Sequence, residues 1–180
     1  MIQPEPPSVA KEVARVPFCD VLAINARFKG QIERAIARVA RSGRYVLGEE
    51  NVRFADEFAR YAGAAHCVPV ASGLDALCLA LRAWLTLGRL KEGDEVIVPA
   101  NSFIASALAV VDAGLSPVFA DVDAETMCLS AATVKAAITA RARVVMVVHL
   151  YGRVSDTDAI RRLCDLHDLL MLEDAAQAHG

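Results

Sequence analysis

Short apolar runs alternate with stretches in which apolar residues recur every three or four positions, and this rhythm organises the chain from Cys67 onward. Runs of strand length lie at 67–71, 95–99, 117–121, 144–148 and 169–173, and helical spacing fills 74–87, 104–113, 131–137 and 156–166. The strand runs are nearly continuous in apolar residues rather than alternating. That pattern belongs to parallel strands covered on both faces, so the fold class is α/β, a three-layer α/β/α arrangement with a mostly parallel sheet.

Ahead of this region the pattern is helical only. Ile24, Phe28, Ile32, Ile36 and Val39 predict one amphipathic helix from Val21, stopped at Ser42-Gly43-Arg44. After a loop through Tyr45-Val46-Leu47-Gly48, the residues Val52, Phe54, Phe58 and Tyr61 give a second helix its apolar face, with Gly63 as its stop. Residues 1–16 hold three prolines in the first seven positions and read as a flexible lead-in. The division is therefore 1–16 lead-in and 17–180 the folded part.

Composition narrows the function classes. A net charge of −3 without a basic block argues against a nucleic-acid surface. No apolar run reaches the roughly 18 residues of a membrane span, and the proline-rich start does not match a signal peptide. A cytoplasmic protein with no membrane and no nucleic-acid partner is expected. Five scattered cysteines, Cys19, Cys67, Cys78, Cys128 and Cys164, form no CxxC and read as buried free thiols.

Candidate chemistry collects where strands end. In open α/β sheets ligands bind beyond the carboxyl ends of the strands. Ser72-Gly73-Leu74-Asp75 follows one strand run and opens a helix. It is either a phosphate-binding helix start or a plain turn capped by Ser72 or Asp75. Phe103 follows the next run and is either a ring-stacking residue or a core Phe in a loop. His149 and Tyr151 follow the fourth run. Asp174 ends the last one, with Gln177 three residues on; Asp174 is a ring-nitrogen partner or a helix cap. Four loops meeting at one sheet edge favour a single site holding Ser72, Phe103, His149 and Asp174.

In this order, several segments resemble the nucleotide-sugar aminotransferase family of the DegT/StrS type. They are Pro17-Phe18-Cys19-Asp20, Ser42-Gly43-Arg44-Tyr45-Val46-Leu47-Gly48, Gly73-Leu74-Asp75-Ala76-Leu77 and Gly93-Asp94-Glu95-Val96-Ile97-Val98-Pro99-Ala100-Asn101. Val148-His149-Leu150-Tyr151-Gly152 and Glu173-Asp174-Ala175-Ala176-Gln177-Ala178-His179-Gly180 complete them. The set looks most like the branch that aminates a 3-keto-6-deoxyhexose attached to dTDP.

The resemblance implies the aspartate-aminotransferase-like fold of the fold-type I enzymes, with pyridoxal 5'-phosphate as cofactor and with 17–180 as the N-terminal part of the cofactor-binding large domain. It implies that Leu74 and Asp75 donate backbone N–H groups to the cofactor phosphate and that Phe103 stacks on the pyridine ring. It further implies that Asp174 pairs with the ring nitrogen and that Gln177 bonds the ring's 3-hydroxyl oxygen. The reaction implied moves an amino group from an amino-acid donor, glutamate being expected, to a nucleotide-linked keto sugar, in a homodimer. The family's cofactor-bonding lysine lies past Gly180 by this reading. Lys11, Lys29, Lys91 and Lys135 are read as solvated charges, and the 180-residue chain as inactive alone. The first strand of the family sheet, matching 67–71, pairs with a seventh strand that these residues do not include. Two alternatives accompany this reading: a sugar dehydratase of the same family, and a non-catalytic remnant or complementation partner.

Overall fold

The computed structural model describes residues 16–179, so the lead-in expected at 1–16 lies outside the described residues except for Val16. The chain forms two compact units, meeting in sequence at Val52 and Arg53.

In the first unit, α1 (Val21–Ala26) is capped by Asp20, whose carboxylate accepts from the Ala23 N–H at 2.8 Å. The continuous helix expected from Val21 is broken, since α2 begins only at Lys29 and runs to Ser42. The Arg27 and Phe28 N–H groups bond three residues back, to Ile24 and Asn25, which tightens the last turn. Phe28 then leaves helical geometry, and Gly30 weakens the helix start behind it. Gly43, with φ of 65°, ends α2 in the left-handed conformation that glycine takes without strain. Across the unit boundary, α3 (Glu49–Tyr61) opens with Glu49 and Glu50 and carries Phe54, Phe58 and Tyr61 along one side. The Phe54 and Phe58 rings stack at 5.6 Å.

The second unit is built on a four-stranded sheet of order β2-β1-β3-β4, comprising β1 (Glu95–Pro99), β2 (Ser116–Ala120), β3 (Ala142–Val148) and β4 (Leu170–Asp174). Every pairing is parallel. Helices α4 (Gly73–Thr86) and α5 (Ala105–Asp112) cover one face, where Leu81, Val96, Val98, Val110 and Met146 are buried together. Helices α6 (Ala131–Ala137) and α7 (Thr157–Leu166) cover the other, over Ile97, Val134, Val145, Val147 and Ile160. The expected three-layer α/β/α class is what the chain adopts. Burial of β1 is complete on both faces, which explains why its sequence is apolar without alternation.

Arg143 interrupts the register. Glu95 pairs with Ala142 but Val96 pairs with Val144, so β3 carries one extra residue there. The bulge lets Ala142 share a face with Val145 and Val147 while Val144, Met146 and Val148 take the opposite one.

The strand expected at 67–71 does not form. The segment has no regular structure, and Cys67 and Pro69 are half-buried while Val68 and Val70 are exposed. A segment becomes a strand only when another strand supplies its hydrogen-bond partners, and none lies beside it among the described residues. The cysteines divide as well. Cys128 and Cys164 are buried as expected, with burial pushing the Cys164 thiol pKa upward, whereas Cys19 is exposed. Among the described residues, no helix is long and apolar enough to cross a membrane.

Candidate functional site

Four chain segments end at the carboxyl edge of the sheet and enclose a cavity of about 500 Å³. Ser72, Gly73 and Leu74 come from the start of α4, Phe103 from the loop after β1, His149 from the end of β3, and Asp174 and Gln177 from the end of β4. Its floor and inner wall are apolar, including Leu77, Leu108 and Val148. The four residues singled out from the sequence, Ser72, Phe103, His149 and Asp174, thus line one space.

The start of α4 is organised by its cap. Ser72 is extended, its Oγ accepts from the Asp75 N–H at 3.1 Å, and its hydroxyl donates to Asp75 Oδ2 at 2.8 Å. The Asp75 amide is therefore already engaged, and Asp75 does not line the cavity. The Gly73 and Leu74 N–H groups have no acceptor among the described residues. They are the donors that every helix start leaves over, at the positive end of the helix dipole. A Cβ built on Gly73 would meet nothing within 4 Å, so the approach to these amides is open.

Opposite them, Asp174 is half-buried and accepts from the Ala176 N–H at 3.1 Å through Oδ1. It has no ion-pair partner among the described residues. Phe103 lines the cavity with three-quarters of its surface exposed. Gln177 has a defined orientation, because its Oε1 accepts from the Tyr151 N–H at 2.7 Å. The carboxamide NH₂ is left as the free end, a donor seeking an oxygen acceptor. Tyr151 itself contributes backbone; its ring is exposed and does not line the cavity.

His149 is buried, and both ring nitrogens are occupied. Nδ1 accepts from the Ser155 N–H at 3.2 Å, and Nε2 lies 3.3 Å from Glu173 Oε2. Glu173 in turn contacts Arg161 on α7 at 3.5 Å. Sequence reading missed Glu173. The strand alternation that aims Asp174 at the cavity face sends its neighbour to the opposite face, and that signal was available. None of the described lysines lines the cavity. Lys29 pairs with Glu33 at 3.9 Å, and Lys91 and Lys135 are exposed. Among the described residues, no group of His, Cys, Asp or Glu is placed to hold a metal ion.

Known proteins resemble the chain in sequence and in fold. The dTDP-3-amino-3,6-dideoxy-alpha-D-galactopyranose transaminase of Aneurinibacillus thermoaerophilus is 43% identical over 92% of the chain, which spans 44% of that relative. The crystal structure of S. venezuelae DesV in complex with a ketimine intermediate superposes with a TM-score of 0.87 at 49% identity, covering 92% of this chain and 44% of that one. An E. coli GDP-4-keto-6-deoxy-D-mannose-3-dehydratase with bound hydrated PLP superposes at 0.73 with 31% identity, covering 79% and 37%. The chain thus spans less than half the length of the relatives it matches. The family model described as the DegT/DnrJ/EryC1/StrS aminotransferase family matches residues 27–180. With most of its length matched and its sheet edge built as described, the chain belongs to that aminotransferase family.

Proposed function

We propose that this chain forms the cofactor cradle of a pyridoxal-phosphate-dependent aminotransferase acting on a nucleotide-linked keto sugar. One observation carries the reading. The free Gly73 and Leu74 amides, the Asp174 carboxylate and the free NH₂ of Gln177 converge on one cavity of about 500 Å³ in a member of this family.

The residues fit the group. Two unengaged amides at a helix start suit a phosphate, and the open space at Gly73 admits it. The carboxylate of Asp174 holds a proton on a pyridine nitrogen by placing a negative charge beside it. Gln177, with its oxygen already engaged, donates to a ring oxygen. Phe103 offers a flat apolar face to an aromatic ring. Leu74 serves through its amide, whereas the Asp75 amide supports the helix start through Ser72. Bound there, pyridoxal phosphate would supply an electron sink for the carbon that loses its proton.

The described lysines stand away from the cavity, so the amine that bonds the cofactor and moves the proton comes from elsewhere in the working enzyme. The amino donor is an amino acid, glutamate in our reading. The acceptor is a keto sugar of a dTDP-linked deoxyhexose, and the working assembly is a homodimer. Alone, the 180-residue chain is inactive.

Co-expression with a chain covering the remaining length of a relative tests this. Amino transfer from glutamate to a dTDP-linked 3-keto-6-deoxyhexose is the expected result. Stoichiometric borohydride trapping of pyridoxal phosphate on Lys11, Lys29, Lys91 or Lys135, with transaminase activity from the 180-residue chain alone, would overturn it.

A further inference from the structure

We infer that His149 is a positioning residue: held as the neutral Nε2–H tautomer, it pins the turn 149–152 that sets Asp174 and Gln177 in place. This deepens the reading of the cavity as a pyridoxal phosphate site, and rests on it for its consequence.

The tautomer follows from the partners. A backbone N–H can only donate, so the Ser155 N–H at 3.2 Å requires a lone pair on Nδ1. The ring proton then sits on Nε2 and points to Glu173 Oε2 at 3.3 Å. Both nitrogens are engaged in a ring only 4% exposed, so His149 has neither the free lone pair nor the mobility of a proton carrier. Its place in the cavity wall is that of a brace.

Three contacts connect the brace to the site. The His149 N–H donates to the Asp174 carbonyl at 3.1 Å, joining the ends of β3 and β4 just where the cavity-facing carboxylate begins. Tyr151 adopts a left-handed conformation, φ 57°, uncommon outside glycine, and this aims its N–H at Gln177 Oε1 at 2.7 Å. Gly152, φ 80°, lies so close to the Gln177 carbonyl oxygen that a Cβ would meet it at 3.1 Å. The imidazole fastens the turn from behind by tying Ser155, beyond the turn, to Glu173 on β4. Loss of the ring would free the turn, let Tyr151 relax, and release the Gln177 carboxamide to rotate.

The test uses the 180-residue chain labelled with ¹⁵N. Long-range imidazole spectra, with His149 assigned by its loss in H149N, should show Nε2–H; an Nδ1–H tautomer or an imidazolium at neutral pH would overturn the inference. Amide exchange gives the second measurement. In H149A the Tyr151 and Ser155 amides should exchange at least about 10-fold faster while Ile97 and Val98 in β1 stay unchanged. H149N, whose carboxamide oxygen can replace Nδ1 as acceptor, should restore much of the Ser155 protection. Unchanged Tyr151 exchange in H149A would overturn the link to Gln177. Should H149A fail to fold, the wild-type spectrum still decides. Pyridoxal phosphate titrated onto the wild type, H149A and H149N separates the two readings. Weaker binding by H149A, restored in large part in H149N, supports both, whereas wild-type binding by H149A overturns the role of the brace at the site. An intact network in a wild type that binds no pyridoxal phosphate sinks the cofactor reading and the role assigned to the brace within it.

Discussion

The two ends of this sheet treat acidic residues in opposite ways. At the amino edge, Glu95 begins β1 and is nearly buried, yet every contact is made within the chain. The Thr139 hydroxyl and the Arg141 guanidinium both donate to its carboxylate. Its own N–H donates to the Arg141 carbonyl at 3.0 Å, and the Arg141 N–H donates to Thr139 Oγ1 at 3.1 Å. The Thr139 hydroxyl, and then Arg141, hold the Glu95 carboxyl below its usual pKa against the opposing effect of burial. At the carboxyl edge, the Asp174 carboxylate accepts only from the Ala176 N–H among the described residues, and the Gly73, Leu74 and Gln177 donors that line the same cavity are left over. A buried acid whose hydrogen bonds close on themselves is a structural joint. An acid whose carboxylate keeps free lone pairs beside unused donors is the arrangement that the proposed cofactor site requires.

Mutations should separate the two edges. The largest effect expected is on the carboxyl side. In the reconstituted enzyme, Asp174→Asn should lower amino transfer by at least about 100-fold, because the ring nitrogen loses its negative partner. The same change should leave thermal stability within about 1 kcal/mol, since Asn can still accept from the Ala176 N–H. A large loss of stability would mean that Asp174 is a joint like Glu95.

Gly152→Ala should cost about 1–2 kcal/mol from the left-handed backbone alone. It should also weaken pyridoxal phosphate binding by pushing on the Gln177 carbonyl. Denaturant melts and ligand titration on the same variant check both effects. Ser72→Ala removes a helix cap and should cost about 1 kcal/mol. It also frees the Asp75 amide, so the stability loss should come without a matching loss of affinity. Equal losses would place the Ser72 hydroxyl in direct contact with the ligand.

The smallest effect is a pH dependence at the amino edge. A carboxylate with a depressed folded-state pKa stabilises the fold fully above the ordinary value of about 4.3 and loses that contribution as pH falls through the folded-state pKa. Stability of the wild type relative to Glu95→Gln should therefore be constant near neutrality and shrink in acid. Pyridoxal phosphate affinity at neutral pH should be the same in both. A gap that widens in acid would contradict the closed arrangement at Glu95.

Much of this was legible in the residues. Sequence runs placed all four strands to within two residues, because short, nearly continuous apolar runs between helical stretches suit the strands of a parallel sheet covered by helices. Helices α4 to α7 followed from the spacing of their apolar residues. The segment 67–71 was misread because its composition suits a strand, while pairing depends on a neighbour that local sequence cannot supply. The break at Arg27 and Phe28 escaped because apolar spacing continues across it, whereas the helix is interrupted by the backbone geometry of Phe28. Asp174 and Gln177 stood out by position after the last strand. Engagement of the Asp75 amide by Ser72, and of Gln177 Oε1 by Tyr151, required coordinates, because hydrogen-bond direction is not written in residue type.

The strand order also has a kinetic meaning. β1 pairs with β2, and β3 with β4, across single crossover helices, whereas β1 reaches β3 across a much wider gap that contains β2 and α6. Loop closure costs more entropy the longer the loop, so the two local pairs are the cheaper first events and the β1–β3 seam is the later one. That seam carries the Arg143 bulge and joins the Phe103 loop to the His149 and Asp174 loops. The cleft is therefore expected to take shape only when that seam docks, so that destabilising the seam should open the cavity while leaving the β1–β2 and β3–β4 pairs in place.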